Sequence, residues 1–252
     1  MVDCVSSQTA ANCATNSGAA CLQLMSKDSF DNGHALAERF RENVRATAFP
    51  CVGAKAALAR GQMDFLVARS ITSAWDDLRV LPSIAEVVSR YRADKAVFRT
   101  LIVLFEGPQD LNEQAFETAL WERLQSLTDK DDWLGFAADP AVSSDPENPH
   151  FSLSFSGEAF FVVGIHPNAS RPARRFAVPA MVFNLHDQFE TLRAEGLYEK
   201  LRSVILDRDL ALTGTINPML ARHGASSEAR QYSGRQVNDD WTCPLERGTS
   251  VG

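Results

Sequence analysis

Short apolar runs alternate with amphipathic segments along most of the chain, and the apolar runs are densest between residues 151 and 193. Phe151–Phe155 and Ala159–Ile165 are separated by Ser-Gly-Glu, a turn-forming tripeptide that predicts a hairpin. The second run is almost continuously apolar, so we expect a strand buried on both faces. It should end at Pro167, because proline lacks an amide donor and has a fixed φ. A third run, Ala180–Phe183, predicts another strand.

The ends of these runs carry a dense group of chemically versatile side chains. His166 directly follows the second run, and His186 comes shortly after the third. The loop between the two runs carries Arg171, Arg174 and Arg175. We therefore expect the hairpin to present both histidines and this arginine loop near one edge of the core.

Further patterns predict helices and two earlier strands. Apolar residues at spacings of three and four predict the clearest helix over Asn112–Leu127. Pro82 should divide a second helical region into Ser73–Val80 and Ser83–Tyr91. The other predicted elements are helices over Gly33–Ala46, Cys51–Ala59 and Tyr198–Leu212, the last with Leu201, Ile205 and Leu212 facing inwards, and strands over Asp64–Ala68 and Arg99–Phe105.

The order of these elements predicts the fold class. From residue 99 the chain reads strand, helix, two strands, then strand and helix, which is typical of an α+β fold. We expect an antiparallel sheet with a ferredoxin-like core, covered by helices on one face. Residues 1–25 show no clear period and predict a disordered extension, which leaves residues 26–252 as a single α+β domain. The polar tail from His223 contains Tyr232 and Trp241, so we expect it to fold back onto the body.

Composition narrows the classes of function. The net charge of −7 argues against a nucleic-acid partner, because nucleic-acid-binding proteins usually present a basic face. No apolar run approaches the roughly 18 residues of a membrane span, so no membrane partner is expected. The five cysteines are odd in number and lack CxxC spacing, which indicates free thiols in a reducing cytoplasm. The GxGxxG, P-loop and GxSxG motifs do not occur in the sequence.

Each candidate side chain has a functional and a structural interpretation. His166 suits a neutral imidazole bound to a metal or haem iron, or it is a hydrogen-bonded histidine at the edge of the core. The arginine loop suits a carboxylate or phosphate, or it is solvated. Cys51 in the first turn of a helix favours a thiolate, or it is a small core residue. His186 and Glu190 share a helical face and form either a ligand pair or an ordinary surface pair.

Several separated blocks of the sequence resemble the YqcI/YcgG family. They are FPCVGAKAAL at 49–58, FSGEAFFVVGIHPNASRPARRF at 155–176, PAMVFNLHDQFETLR at 179–193, and INPMLARHGASSEARQYSGRQV with WTCP at 216–244. Together they span roughly residues 34–245, nearly the whole chain outside the N-terminal extension. The last three blocks look most like the branch that contains haem-dependent N-hydroxylases of guanidine compounds, such as those of the guanitoxin and D-cycloserine pathways.

This resemblance implies a cofactor. It implies haem b, so residues 26–252 would be a haem-binding domain. His166 becomes the expected iron ligand, with His186 and Cys51 as alternatives. The resemblance also makes the loop arginines candidates to hold the haem propionates; they are Arg171, Arg174 and Arg175.

The resemblance also implies a substrate. A guanidinium binds in its charged form and needs a carboxylate fork, for which Glu228 and Glu190 are candidates. Arg230 or Arg235 would bind the carboxylate of an amino-acid substrate, and Tyr232 would donate a hydrogen bond near the reacting centre or close a lid. Dioxygen or peroxide and an electron donor are the other expected partners, and a homodimer is a candidate oligomeric state.

Two other functions compete with this hypothesis. One is a haem-binding or haem-sensing protein without oxygenase turnover. The other is a non-haem protein that binds a small anion at the arginine loop.

Overall fold

A five-stranded sheet forms the centre of the computed structural model, which describes residues 30–215, 217, 219 and 226–246. The strands are β1 (Met63–Ser70), β2 (Thr100–Gly107), β3 (Leu153–Phe155), β4 (Glu158–Ile165) and β5 (Ala180–Leu185), in the order β1-β2-β5-β4-β3. Each apolar run that predicted a strand is therefore a strand, with small shifts of its ends. The predicted extension at residues 1–25 and His223 lie outside the described residues.

Helices cover both faces of the sheet. In the described ranges they are α1 (Ala35–Arg45), α2 (Val52–Ala59), α3 (Asp77–Asp94), α4 (Glu113–Trp133), α5 (Asp187–Ala194), α6 (Tyr198–Thr213) and α7 (Ala229–Tyr232). Side chains of α1 and α2 share one apolar core with Phe65 and Ile102, whereas those of α3 and α4 share a second core with Leu101 and Phe160. The prediction of helices on one face is wrong, because the middle of the sheet is apolar on both faces.

The sheet is mixed rather than antiparallel. β1 and β2 pair in parallel, and every other neighbouring pair is antiparallel. A parallel pair needs a crossover connection, which α3 supplies between these two strands. The predicted antiparallel sheet is therefore wrong at this pair, and the ferredoxin-like core is not confirmed.

α3 runs through Pro82 without a break. The two helices predicted on either side of this proline are one helix, preceded by a short 3-10 turn over Ala74–Asp76. A proline inside a helix costs about 3 kcal/mol or more. The burial of Leu81, Ile84 and Val88 against the sheet outweighs that cost, because local propensity is weaker than tertiary packing.

α4 begins as predicted but ends later. The Asn112 side chain accepts a hydrogen bond from the amide of Ala115 at 2.9 Å and so caps the helix. The helix continues to Trp133 because its last turns still bury polar side chains. Among these, Asp131 accepts hydrogen bonds from the amide of Ser156 at 3.0 and 3.1 Å, which fixes the turn between β3 and β4.

α6 packs less tightly than its sequence predicted. Leu212 is 36% exposed, so the expectation that it faces inwards is wrong. The buried residue of this helix is Asp209, whose carboxylate pairs with Arg171. The helix thus presents a charged side chain, rather than a leucine stripe, to the body.

The segment 226–246 folds back onto the body, as predicted. β3 pairs with β4 only as far as Phe160, and no strand in the described ranges lies beside the rest of that edge of β4. The segment covers this edge: the Tyr232 hydroxyl donates to the carbonyl of Phe160 at 3.2 Å, and Tyr232 is fully buried. Such cover protects an open strand edge from pairing with another chain. Among the described helices, none has both the length and the apolar character needed to cross a membrane.

Candidate functional site

The two candidate histidines lie at opposite ends of the sheet. In the antiparallel β4–β5 pair, Ile165 lies opposite Ala180 and Phe160 lies opposite Leu185. His166 continues from one end of this ladder, and the amide of His186 donates to the carbonyl of Ala159 at the other. The length of β4 therefore separates them by roughly 20 Å. The expectation that both histidines share one edge is wrong, because β4 and β5 run in opposite directions.

His166 is buried, neutral and incompletely hydrogen-bonded. It is 1% exposed, and its ring stacks on Phe116 with centroids 4.3 Å apart. Its Nδ1 atom is buried without a hydrogen-bond partner among the described residues. Burial lowers the pKa of this imidazole, and the nearby carboxylate of Glu113 opposes that shift. A neutral imidazole with a free ring nitrogen is the form that binds a metal.

The three loop arginines are held by this chain's own atoms. Arg171 pairs with the Asp209 carboxylate and donates to the carbonyl of Thr215 at 3.0 Å. Arg175 donates to carbonyls of its own loop at 2.6 and 2.9 Å. The third, Arg174, donates to the carbonyls of Gly164 and Gln231, each at 3.0 Å. The loop is therefore neither simply solvated nor a set of free cations.

Arg174 also links two parts of the site. Its guanidinium joins β4 to the C-terminal segment, and its carbonyl accepts a hydrogen bond from the His166 amide at 3.0 Å. Desolvation lowers the pKa of this guanidinium to about 10, although the Asp209 carboxylate works against the shift. Arg174 thus fixes the backbone that presents His166.

Cys51 does not show the electrostatics of a thiolate. It is the N-terminal cap of α2, where its sulfur accepts from the amide of Ala54 at 3.4 Å. Burial raises the pKa of the thiol, and hydrogen bonds from the amides of Ala54 and Gly53, together with the Arg174 charge, only partly offset this. The shift is opposite in direction to the one that thiolate ligation requires.

A polar cleft of about 490 Å³ opens at the His166 end of the sheet. Asn168 forms part of its wall and donates to the carbonyl of Leu111 at 3.1 Å, which ties the arginine loop to the start of α4. The cleft is lined by Asp110, Asn112, Glu113, Gln114, Asn168 and Arg235. The sequence reasoning selected Arg235 but missed Asp110 and Glu113. The one sequence feature that could have identified these two residues is their position between a buried strand and a long helix, where polar side chains often lie at the edge of a sheet.

A second group of candidate residues lies near the other histidine. The His186 Nε2 atom is 3.5 Å from a carboxylate oxygen of Glu228, and both residues are buried. The Ser152 hydroxyl lies 3.0 Å from the second oxygen of Glu228. Burial and the Glu228 charge raise the pKa of Tyr232. The structure therefore brings His186, Glu228 and Tyr232 together, but away from His166.

The remaining substrate-binding candidates have local partners. Glu190 is exposed on α5 and pairs with Arg193, three positions away. Arg230 donates to the carbonyl of Trp241 at 3.0 Å and lies over its ring at 5.5 Å. Neither residue lines the cleft beside His166.

The residues at the His166 end of the sheet suit the iron of a haem but not its macrocycle or its propionates. The unpartnered, neutral imidazole suits an iron ligand. The polar lining of the cleft does not suit the apolar faces of a macrocycle, and the arginines are already engaged, as described above. In the described part of the chain, no group of three or more His, Cys, Asp or Glu side chains could hold a bare metal ion.

The fold and this site together define a mixed α+β protein with a buried neutral histidine at the end of an inner strand, beside a charged cleft. The sequence model of the YqcI/YcgG family matches residues 40–246, and the chain belongs to that family. No curated protein and no solved structure matches it.

Proposed function

We propose that this protein is a haem-dependent oxygenase that N-hydroxylates a guanidine or amine group of a small, arginine-like substrate in the cytoplasm. One observation carries the proposal: His166 is buried and neutral, and its Nδ1 atom has no partner among the described residues. A buried nitrogen without a hydrogen-bond partner is destabilising, and a ligand would satisfy it. The resemblance to the hydroxylase branch supplies the reaction and haem b.

His166 is the residue that would hold the iron. Bound haem would supply the activation of dioxygen or peroxide, with electrons from a separate donor. The chain's own part is to keep the imidazole neutral and fixed. Phe116 shields one ring face by stacking, and Arg174 holds the His166 backbone through its carbonyl. Cys51 is the weaker ligand because its thiol stays protonated, and His186 is the remaining alternative.

An absorption spectrum tests the cofactor. Full-length protein expressed with a haem supply should show a Soret band, and His166→Ala should lose it while His150→Gln, a change at an exposed histidine, should keep it. Circular dichroism checks that both variants fold. If wild-type protein stays colourless under haem reconstitution, the proposal is refuted. A wild-type spectrum in His166→Ala and its loss in His186→Ala would move the ligand to His186.

A second function is favoured by the polar lining of the cleft and the engaged arginines. In this reading the protein binds a small charged molecule at the His166 end without haem. It predicts no Soret band but measurable binding of a small zwitterion by calorimetry. A protein that binds haem yet converts no guanidine to an N-hydroxy product would instead be the haem-sensing form.

A further inference from the structure

The cleft beside His166 is lined by a carboxylate at the start of α4 and by a guanidinium from the C-terminal segment that is held one turn further along the same helix. Glu113 and Glu117 are four positions apart on α4, so their side chains lie on the same face, about 6 Å apart. Arg235 lies against Glu117, and both Glu113 and Arg235 line the cleft. The carboxylate of Glu113 and the guanidinium of Arg235 therefore both line the cleft, about one helical turn apart.

Arg235 is held in place before any ligand arrives. Glu117 is buried and accepts hydrogen bonds from Nε and Nη2 of Arg235, the first at 2.7 Å. The other oxygen of Glu117 accepts from the Ser233 hydroxyl at 3.0 Å. The Nη1 group of Arg235 has no hydrogen-bond partner among the described residues. The guanidinium is thus oriented by two of its nitrogens and keeps a third for a ligand.

Glu113 is anchored in the same way. One of its carboxylate oxygens accepts from both the amide and the hydroxyl of Ser170, at 2.9 and 2.7 Å. Its other oxygen receives no hydrogen bond from the described residues. Glu113 lies one turn before Phe116, whose ring stacks on His166, and its charge acts on that imidazole. A cation held by Glu113 would therefore lie at the His166 end of the cleft.

We propose that this cleft binds a zwitterion whose guanidinium is held by Glu113 and whose carboxylate is held by Arg235. The inference rests on the proposed function and deepens it, because it replaces Glu228 and Glu190 as the carboxylate fork. Glu228 is instead engaged by Ser152 and lies close to His186, at the far end of β4. The arrangement directs the guanidinium end of the ligand, rather than its carboxylate, towards His166.

Calorimetry with L-arginine on the full-length protein tests the assignment. Glu113→Gln keeps an acceptor for Ser170 and removes the charge, so it should weaken arginine binding roughly 10- to 100-fold, as expected for loss of a charge-assisted hydrogen bond. Glu122→Gln, at an exposed position of the same helix, is the matched control and should bind as wild type does. Agmatine, which is arginine without its carboxylate, should bind wild-type protein more weakly than arginine.

The result separates this inference from the haem proposal. Arginine binding that survives Glu113→Gln but is lost in Glu228→Gln overturns the inference, whatever the haem spectrum shows. Wild-type protein that shows no arginine binding also overturns it. A colourless protein that binds arginine through Glu113 refutes the oxygenase and leaves the cleft assignment standing.

Discussion

Gly164 lies where three elements meet, and a single added methyl group should disturb them. A Cβ atom at this position would lie 2.8 Å from side-chain carbons of Leu120 and Phe116, and 2.8 Å from the carbonyl oxygen of Tyr232. The first two atoms belong to α4, and the third belongs to the backbone of the segment that covers β4. Gly164→Ala therefore overpacks a site in which one neighbour cannot move by a simple rotation of a side chain.

The expected penalty lies at the upper end of the range for overpacked cores. Such substitutions cost about 1–3 kcal/mol, and we expect about 3 kcal/mol here because the backbone of Tyr232 must shift. That shift strains the hydrogen bonds from Tyr232 to Phe160 and from Arg174 to Gly164. For a chain of this length, 3 kcal/mol corresponds to a fall in Tm of roughly 6–12 °C.

Urea unfolding of the purified variants measures the effect. Gly107→Ala is the control, because Gly107 is the last residue of strand β2 and a Cβ atom there would meet nothing within 4 Å. We expect the control to be neutral or slightly stabilising. A free energy of unfolding for Gly164→Ala within about 0.5 kcal/mol of the control would refute this account of the packing, since effects that small are typical of open surface positions.

Three further changes test other parts of the structure. Burial raises the pKa of Asp131 from 3.8 to about 7, so this group contributes most stability below pH 4 and loses that contribution as the pH rises through 7. Asp131→Asn should therefore make the free energy of unfolding depend less on pH, and it should stabilise the protein at pH 8 relative to wild type by up to about 3–4 kcal/mol. Urea unfolding at pH 4 and pH 8 measures this, and a pH profile identical to that of wild type would contradict it. Asp77→Asn should destabilise by about 3–5 kcal/mol, because it leaves the buried Arg123 guanidinium, 2.9 Å away, without its counter-ion; a loss under 1 kcal/mol would show that Arg123 finds another partner. Arg174→Met should speed amide exchange in residues 226–246 while leaving α1 protected, and equal exchange in both would argue that the segment is held by other contacts.

Local sequence predicted the position of His166 in the site but not the partners of the arginines beside it. The continuous apolar run of β4 predicted that His166 would follow a buried strand, and the structure confirms that placement. The three arginines were either candidates to bind a ligand or a solvated loop, because their partners within the chain are not visible in the sequence. Asp209 and Gln231, which engage two of them, lie 38 and 57 positions further along the chain. Glu113 was overlooked for a similar reason, because it becomes a candidate binding residue only through its place in a cleft that remote parts of the chain form.

The sequence by itself determined the strands, most of the helices and the return of the C-terminal segment. Those features follow from the local period of apolar residues and from large buried side chains such as Tyr232, which are properties of short stretches. Only the tertiary structure decided the direction of β1 relative to β2, the placement of His166 and His186 at opposite ends, and the pairing of Arg235 with Glu117, 118 positions away. The physical reason is that a hydrophobic period reports which face is buried, whereas strand direction and charge partners are set by contacts between segments that are remote in the chain.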